Sequence, residues 1–129
     1  MKLLSRRTVS RADTAVFTDH LAEFLKAGVP LLQSLELIQK EIKHPYFQEI
    51  LREVIQRIRR GEGFAATLKR FPRTFSAYYG EFVEAGELSG KLDYVLERLA
   101  RAIEKELDLR AKVKMTLAYP LFVLTFGIL

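Results

Sequence analysis

The sequence contains no cysteine and only two histidines. The absence of cysteine excludes a disulfide framework, a thiolate metal site and a cysteine nucleophile, and it fits a reducing compartment. His20 has no ligand partner at i+4, and His44 precedes a proline in a turn. Both histidines read as surface or helix-packing residues, so no metal site is expected. No stretch alternates with period 2, which leaves no strand signal. There is also no phosphate-binding loop. Gly61-Glu62-Gly63 lacks the Lys-Ser/Thr that would hold phosphate and magnesium, and reads as a turn. Residues 1–11 carry Lys2, Arg6, Arg7 and Arg11 but no apolar h-region, so residues 1–9 read as a flexible basic lead-in rather than a signal peptide.

The chain has 129 residues, 49% of them hydrophobic and 29% charged. That length and balance fit one domain able to bury a core without staples, and argue against disorder. The net charge of +5 suits anionic lipid, nucleic acid or an acidic protein face, without choosing among them.

Apolar residues recur at helical spacing almost throughout, predicting an all-α compact bundle of about six antiparallel helices. Ser10 and Asp13 form a capping-box-like start to the first helix, which carries Phe17, Leu21, Phe24 and Leu25 on one face. Gly28 ends it as the C′ residue, and Pro30 falls in the first turn of the next helix. That second helix presents Leu31, Leu35, Ile38 and Ile42, and His44-Pro45 breaks it. A third helix turns Phe47, Ile50, Leu51, Val54 and Ile58 inward and Arg52, Arg57, Arg59 and Arg60 outward. Gly61 and Gly63 end it. A short fourth helix carries Phe64, Leu68 and Phe71 and stops at Pro72. A fifth, over 75–88, groups Phe75, Tyr78, Tyr79, Phe82 and Val83 as one aromatic face. Its internal Gly80 and Gly86 permit close helix contact. The sixth begins after Ser89-Gly90, with Asp93 in its first turn, where a carboxylate complements the helix dipole.

The sixth helix changes character along its length. From 97 to 114 it is dense in charge; from 115 to 129 there is none. A span needs about 20 mostly apolar residues, so 115–129 reads as the start of a first transmembrane helix, truncated. Its eight large aliphatic and phenylalanine side chains would favour insertion by about 2.5–5 kcal/mol together. Pro120, which costs about 3 kcal/mol inside a soluble helix, is better tolerated in lipid. Arg110, Lys112 and Lys114 at the boundary place the body, 10–114, on the cytoplasmic side, and suit contact with anionic headgroups.

Four segments in this order carry a resemblance. They are Ala27-Gly28-Val29-Pro30-Leu31-Leu32-Gln33; Gly61-Glu62-Gly63-Phe64 with Leu68 and Pro72; Glu84-Ala85-Gly86-Glu87-Leu88-Ser89-Gly90-Lys91-Leu92-Asp93; and Lys112-Val113-Lys114-Met115-Thr116-Leu117-Ala118-Tyr119-Pro120. Each alone is weak, but the ordered set resembles the GspF/PilC family, the inner-membrane platform proteins of type II secretion and type IV pilus machines. Thr116 departs from the Ser, Ala or small aliphatic residue expected there. The resemblance runs from about residue 13 to 129 and implies that this is the first of two similar cytoplasmic helical domains. It also implies a non-enzymatic scaffold, without cofactor, that couples a cytoplasmic assembly ATPase to pilin or pseudopilin polymerisation beside other inner-membrane components.

The residues themselves offer candidate contacts. Glu84 and Glu87 lie one helical turn apart near Glu81. Paired carboxylates can do acid/base work or hold calcium, but here they read as a solvated acidic face or a partner contact. Three basic clusters, Arg6-Arg7-Arg11, Arg57-Arg59-Arg60 and Lys69-Arg70-Arg73, leave a basic nucleic-acid-binding domain as the alternative. No helix carries an Arg/Asn/Gln set that reads bases, so no nucleic-acid partner is expected. A helical enzyme using Glu84 and Glu87 is the third reading. The apolar tail predicts a homodimer or higher oligomer.

Overall fold

The structure, a computed structural model, describes residues 8–127, apart from the side chains of 114–123 and 125–127. Among the described residues six helices follow one another: α1 Arg11–Lys26, α2 Leu31–Glu41, α3 Pro45–Arg59, α4 Phe64–Leu68, α5 Ala77–Ser89 and α6 Leu92–Gly127. No strand occurs among the described residues.

Local chemistry sets most of the helix ends. Ser10 Oγ accepts the Asp13 N–H at 3.1 Å and starts α1. At the other end Gly28 adopts φ +87°, with Gly28 N–H to Leu25 C=O and Val29 N–H to Phe24 C=O, both at 3.0 Å. That is a Schellman motif, and glycine enters its left-handed position without a Cβ clash. Gly61, at φ +98°, repeats it after α3, bonding Ile58 C=O while Glu62 N–H bonds Arg57 C=O. His44 N-caps α3, its Nδ1 accepting the Phe47 N–H at 3.3 Å, with Pro45 at the first helical position.

Two boundaries differ from expectation. Pro30 precedes α2 as its N-cap rather than lying in its first turn, with φ −60° and ψ 151°. Pro72 does not end α4, which stops at Leu68. Successive turns, with Phe71 N–H to Leu68 C=O and Thr74 and Phe75 N–H to Phe71 C=O, then carry Phe75 into the core.

The core runs through all six helices. Along α3 the buried residues are Phe47, Ile50, Leu51, Val54 and Ile55, an i, i+3, i+4, i+7, i+8 stripe. Ile55 takes the place expected of Ile58, which lies at the core margin where α3 ends. Phe17, Phe47 and Phe75 meet with ring centroids 5.5 to 6.3 Å apart, and Tyr79 lies 5.1 Å from Phe75. The expected single aromatic face of α5 is split. Phe75 precedes the helix and is buried with Tyr79 and Val83, whereas Tyr78 is 54% and Phe82 38% exposed. The core-facing stripe of α5 is Tyr79, Gly80, Val83 and Gly86, which leaves 78 and 82 on the adjoining stripe, where their ring centroids lie 4.4 Å apart.

Four buried hydroxyls are satisfied by nearby backbone. Thr14, Thr18, Ser34 and Thr67 each donate to the carbonyl four residues back. Thr18 gives its proton to Thr14 C=O, so Tyr79 donates its own to Thr18 Oγ1 across 2.8 Å. Burial holds the Tyr79 phenol well above its ordinary range, against a smaller opposite pull from Thr18.

α1 packs antiparallel along α6, since Arg11 pairs with Glu106 and Lys26 with Glu97. The α2–α3 hairpin is pinned by reciprocal bonds, Gln39 Nε2 to Gln48 C=O at 3.4 Å and Gln48 Nε2 to Gln39 C=O at 3.5 Å. Burial along α6 fades after Leu107, and residues 108–113 are exposed. At about 1.5 Å per residue, α6 is about 54 Å long and continues far beyond its last core contact. No helix among the described residues is long and apolar enough to cross a membrane.

Candidate functional site

Three surfaces hold the residues singled out above. The first is the junction of α4, α5 and α6. Gly86 lies against α6, and a Cβ there would meet Val95 Cβ at 3.1 Å and Leu92 Cα at 3.2 Å. Gly90, at φ +72°, closes α5, and Asp93 stands in the first turn of α6. Glu87 Oε2 accepts the Phe64 N–H at 3.0 Å and Oε1 the Ala65 N–H at 2.7 Å. Glu87 therefore caps α4, a helix whose N-cap, Gly63, has no side chain to do so. A Cβ on Gly63 would lie 3.8 Å from Glu87 Oε2. Glu84 pairs with Lys69, and the Lys69 stem packs over Gly80. Pro72 is exposed on the loop after α4.

The second surface is the basic ridge at the end of α3. Arg57 reaches Glu53 Oε1 at 3.0 Å and Glu62 Oε1 at 3.1 Å, and Arg70 also reaches Glu62 Oε1 at 3.1 Å. Desolvation alone would push Glu62 up, but Arg70 and Arg57 together hold its carboxyl below the usual range. The hydrogen bond to Glu53 raises Arg57 above its ordinary value, against desolvation. Arg59 pairs with Glu36 of α2 at 2.6 Å, and Arg60 is exposed at the C-cap. Arg57 is thus bound into a network, while Arg59 and Arg60 face outward.

The third is the distal part of α6. Arg110 Nη2 donates to Glu106 Oε1 at 3.0 Å, and Arg11 binds the other oxygen of the same carboxylate. The hydrogen bond from Arg11 holds Glu106 below its ordinary range, and that from Lys26 does the same for Glu97. Lys112 is exposed, and the side chains of Lys114, Tyr119 and Pro120 lie outside the described residues.

Glu62, Arg11, Lys26, Glu97 and Glu106 were not singled out in the sequence as a linked set. The Arg11–Glu106 and Lys26–Glu97 pairings join residues far apart in the chain, and Glu62 meets Arg57 and Arg70 across a turn and a loop, so no regular helical spacing signals them. His20 and His44 line a partly apolar groove of about 230 Å³ with Glu41, whose Oε2 is 3.7 Å from His20 Nδ1. Among the described residues, no group of three or more His, Asp or Glu is placed to hold a metal ion.

The profile of the family described as "Type II secretion system (T2SS), protein F" matches residues 17–129. The chain is 40% identical over 90% of its length to the type IV pilus assembly protein PilC of Thermus thermophilus, of which it covers 28%. It is 36% identical over 93% of its length to PilC of Myxococcus xanthus, covering 29% of that protein. It is 31% identical over 95% of its length to type II secretion system protein F of Vibrio cholerae, covering 30%. The chain thus spans under a third of the length of these relatives. With the profile covering nearly all of α1 to α6, the chain belongs to the type II secretion system protein F family.

Proposed function

We propose that this chain is the first cytoplasmic domain of a non-enzymatic inner-membrane platform protein in a type II secretion or type IV pilus assembly machine. In this reading residues 115–129 begin its first membrane helix and the body lies on the cytoplasmic side. The domain receives movement from a cytoplasmic assembly ATPase and passes it toward pilin or pseudopilin in the bilayer. The observation that carries the reading is α6, one helix gripped by the core up to Leu107 and continuing without a break into the apolar run. The Arg11–Glu106 and Lys26–Glu97 pairs tie it to α1 on the same body, so the body and the helix move together.

Family membership and the names of the relatives support the machine, and the exposed charges suggest where partners dock. Arg59 and Arg60 on the ridge and Glu84 on α5 face outward. Glu87 and Arg57 are partner contacts only if they keep their internal bonds. The test is binding of the full-length platform protein to its cognate ATPase, with Arg59→Glu and Arg60→Glu together and, separately, Glu84→Lys. A drop of about tenfold in either variant fits a charge-complementary contact. Unchanged binding in both sinks direct docking through these surfaces. The proposed self-association is read from oligomeric state before and after deletion beyond Lys114; an unchanged state assigns it to the helical body.

A further inference from the structure

A groove of about 540 Å³ opens between α1, α5 and α6, lined in part by Arg11, Ser76, Tyr78, Ile103, Glu106 and Arg110. Its volume lies within the usual range of small-ligand sites, about 300–1,000 Å³. Its charge is unbalanced. Glu106 is the one carboxylate in the lining, and it is shared between the Arg11 and Arg110 guanidiniums. Two cations against one anion leave an excess positive charge. Arg11 Nε is also buried without an acceptor among the described residues, so the guanidinium gains a bond by turning toward an added anion. Ser76 caps the N-terminus of α5, whose dipole adds positive potential at the rim.

The groove's position along α6 selects the anion. Arg110 precedes Met115, where the uncharged run starts, by about 7 Å of helix. A bilayer's headgroup layer is about 5–8 Å deep on each side. With the apolar run in hydrocarbon, Arg110 stands in that layer, and Glu106, about 14 Å of helix from Met115, holds Arg11 on its cytoplasmic side. Tyr78 is exposed at the groove, its ring centroid 4.4 Å from that of Phe82, and offers a hydroxyl at the rim. A soluble acidic segment would not require a place beside the apolar run.

We propose that this groove binds the phosphate of an anionic phospholipid headgroup, with Arg11 and Arg110 as donors and Tyr78 at its rim. The proposal rests on the reading that residues 115–129 enter a membrane. Bound lipid would brace α1, α5 and α6 where α6 leaves the body.

The test is flotation of the chain with phosphatidylcholine vesicles, with and without about 30% phosphatidylglycerol. The parent chain is expected to bind both and to prefer the anionic vesicles. Arg11→Gln with Arg110→Gln lowers that preference about tenfold or more, since each basic residue near the surface contributes about fivefold. Arg52→Gln with Arg60→Gln on α3 removes the same charge and changes it by about twofold or less. Arg110→Gln alone, an exposed change that spares the α1–α6 pair, lowers it about fivefold and guards against misfolding of the double variant. Equal losses in the two double variants would mean diffuse attraction and overturn the groove. No loss of lipid preference in the groove variant, with weakened binding to the cognate ATPase, would overturn it in favour of an acidic protein segment. Failure of the parent chain to bind neutral vesicles would refute the membrane reading itself, and the groove with it.

Discussion

Residues 92–107 and 108–113 belong to the same helix, yet Leu96, Leu99 and Ile103 are buried while Leu109 and Val113 are each 55% exposed. Both stretches are rich in charge and in aliphatic side chains, and neither contains a helix breaker. The proximal stretch is held by the hydrophobic core together with two ion pairs to α1. In the distal stretch Arg110 makes a local pair with Glu106, and the large apolar side chains Leu109 and Val113 stay exposed. Helical continuity alone therefore says little about where the folded body stops; packing decides that at Leu107.

The largest expected effect tests this contrast directly. Leu96→Ala, at a fully buried position, should cost about 2–5 kcal/mol, while Leu109→Ala should stay within about 0.5 kcal/mol, both read by chemical denaturation. Comparable losses would mean that the distal stretch is packed after all. Gly86→Leu comes next. It forces a side chain against the Leu92 backbone and Val95, pushes α5 off the proximal stretch and should cost about 1–3 kcal/mol. Gly80→Ala puts a Cβ 2.9 Å from Lys69 Cγ, so the Lys69 stem must shift and offsets the gain in helix propensity; the net change should stay within about 1 kcal/mol. Glu87→Ala removes the carboxylate cap of α4 and should cost about 1 kcal/mol, and Glu87→Gln, with one acceptor oxygen where two are used, should recover only about half of it.

The smallest effect concerns pH. Glu97 and Glu106 are held below their unfolded values by Lys26 and Arg11. Their contribution is therefore fully present above the unfolded glutamate pKa of about 4.3 and fades as pH falls through the lowered folded values. Lys26→Gln with Arg11→Gln should flatten the loss of stability below about pH 4 relative to the parent. Amide exchange sharpens the same comparison, with protection high over 96–103 and lower over 108–113. Uniform protection would contradict it.

Much of the fold was legible because its signals are local. Ser10, Gly28, His44-Pro45, Gly61 and Gly90 mark helix ends through bonds that close within a few residues. Pro72 misled because α4 ends where the chain must bend to deliver Phe75 to Phe17 and Phe47, a demand made by the core and not by the proline. The aromatics around α5 share one helical spacing in the sequence, but Phe75 precedes the helix, and the buried stripe centres on Tyr79, Gly80, Val83 and Gly86, which leaves Tyr78 and Phe82 exposed. Glu87 looked like a surface acid and is the cap of a helix 22 residues before it in the chain, brought there by α4–α5 packing.

The order of helices, most of their ends and inward residues, and the change from charged to apolar at residue 115 follow from the amino-acid sequence by itself, because capping, helical periodicity and hydropathy act over a few residues. Tertiary structure alone decided which acids are structural, that α1 clamps α6 through Arg11 and Lys26, that Arg11 and Arg110 share Glu106 in a groove, and that the body ends at Leu107. Those features depend on residues tens of positions apart meeting in space, and that meeting is set by how the helices bury their apolar faces together.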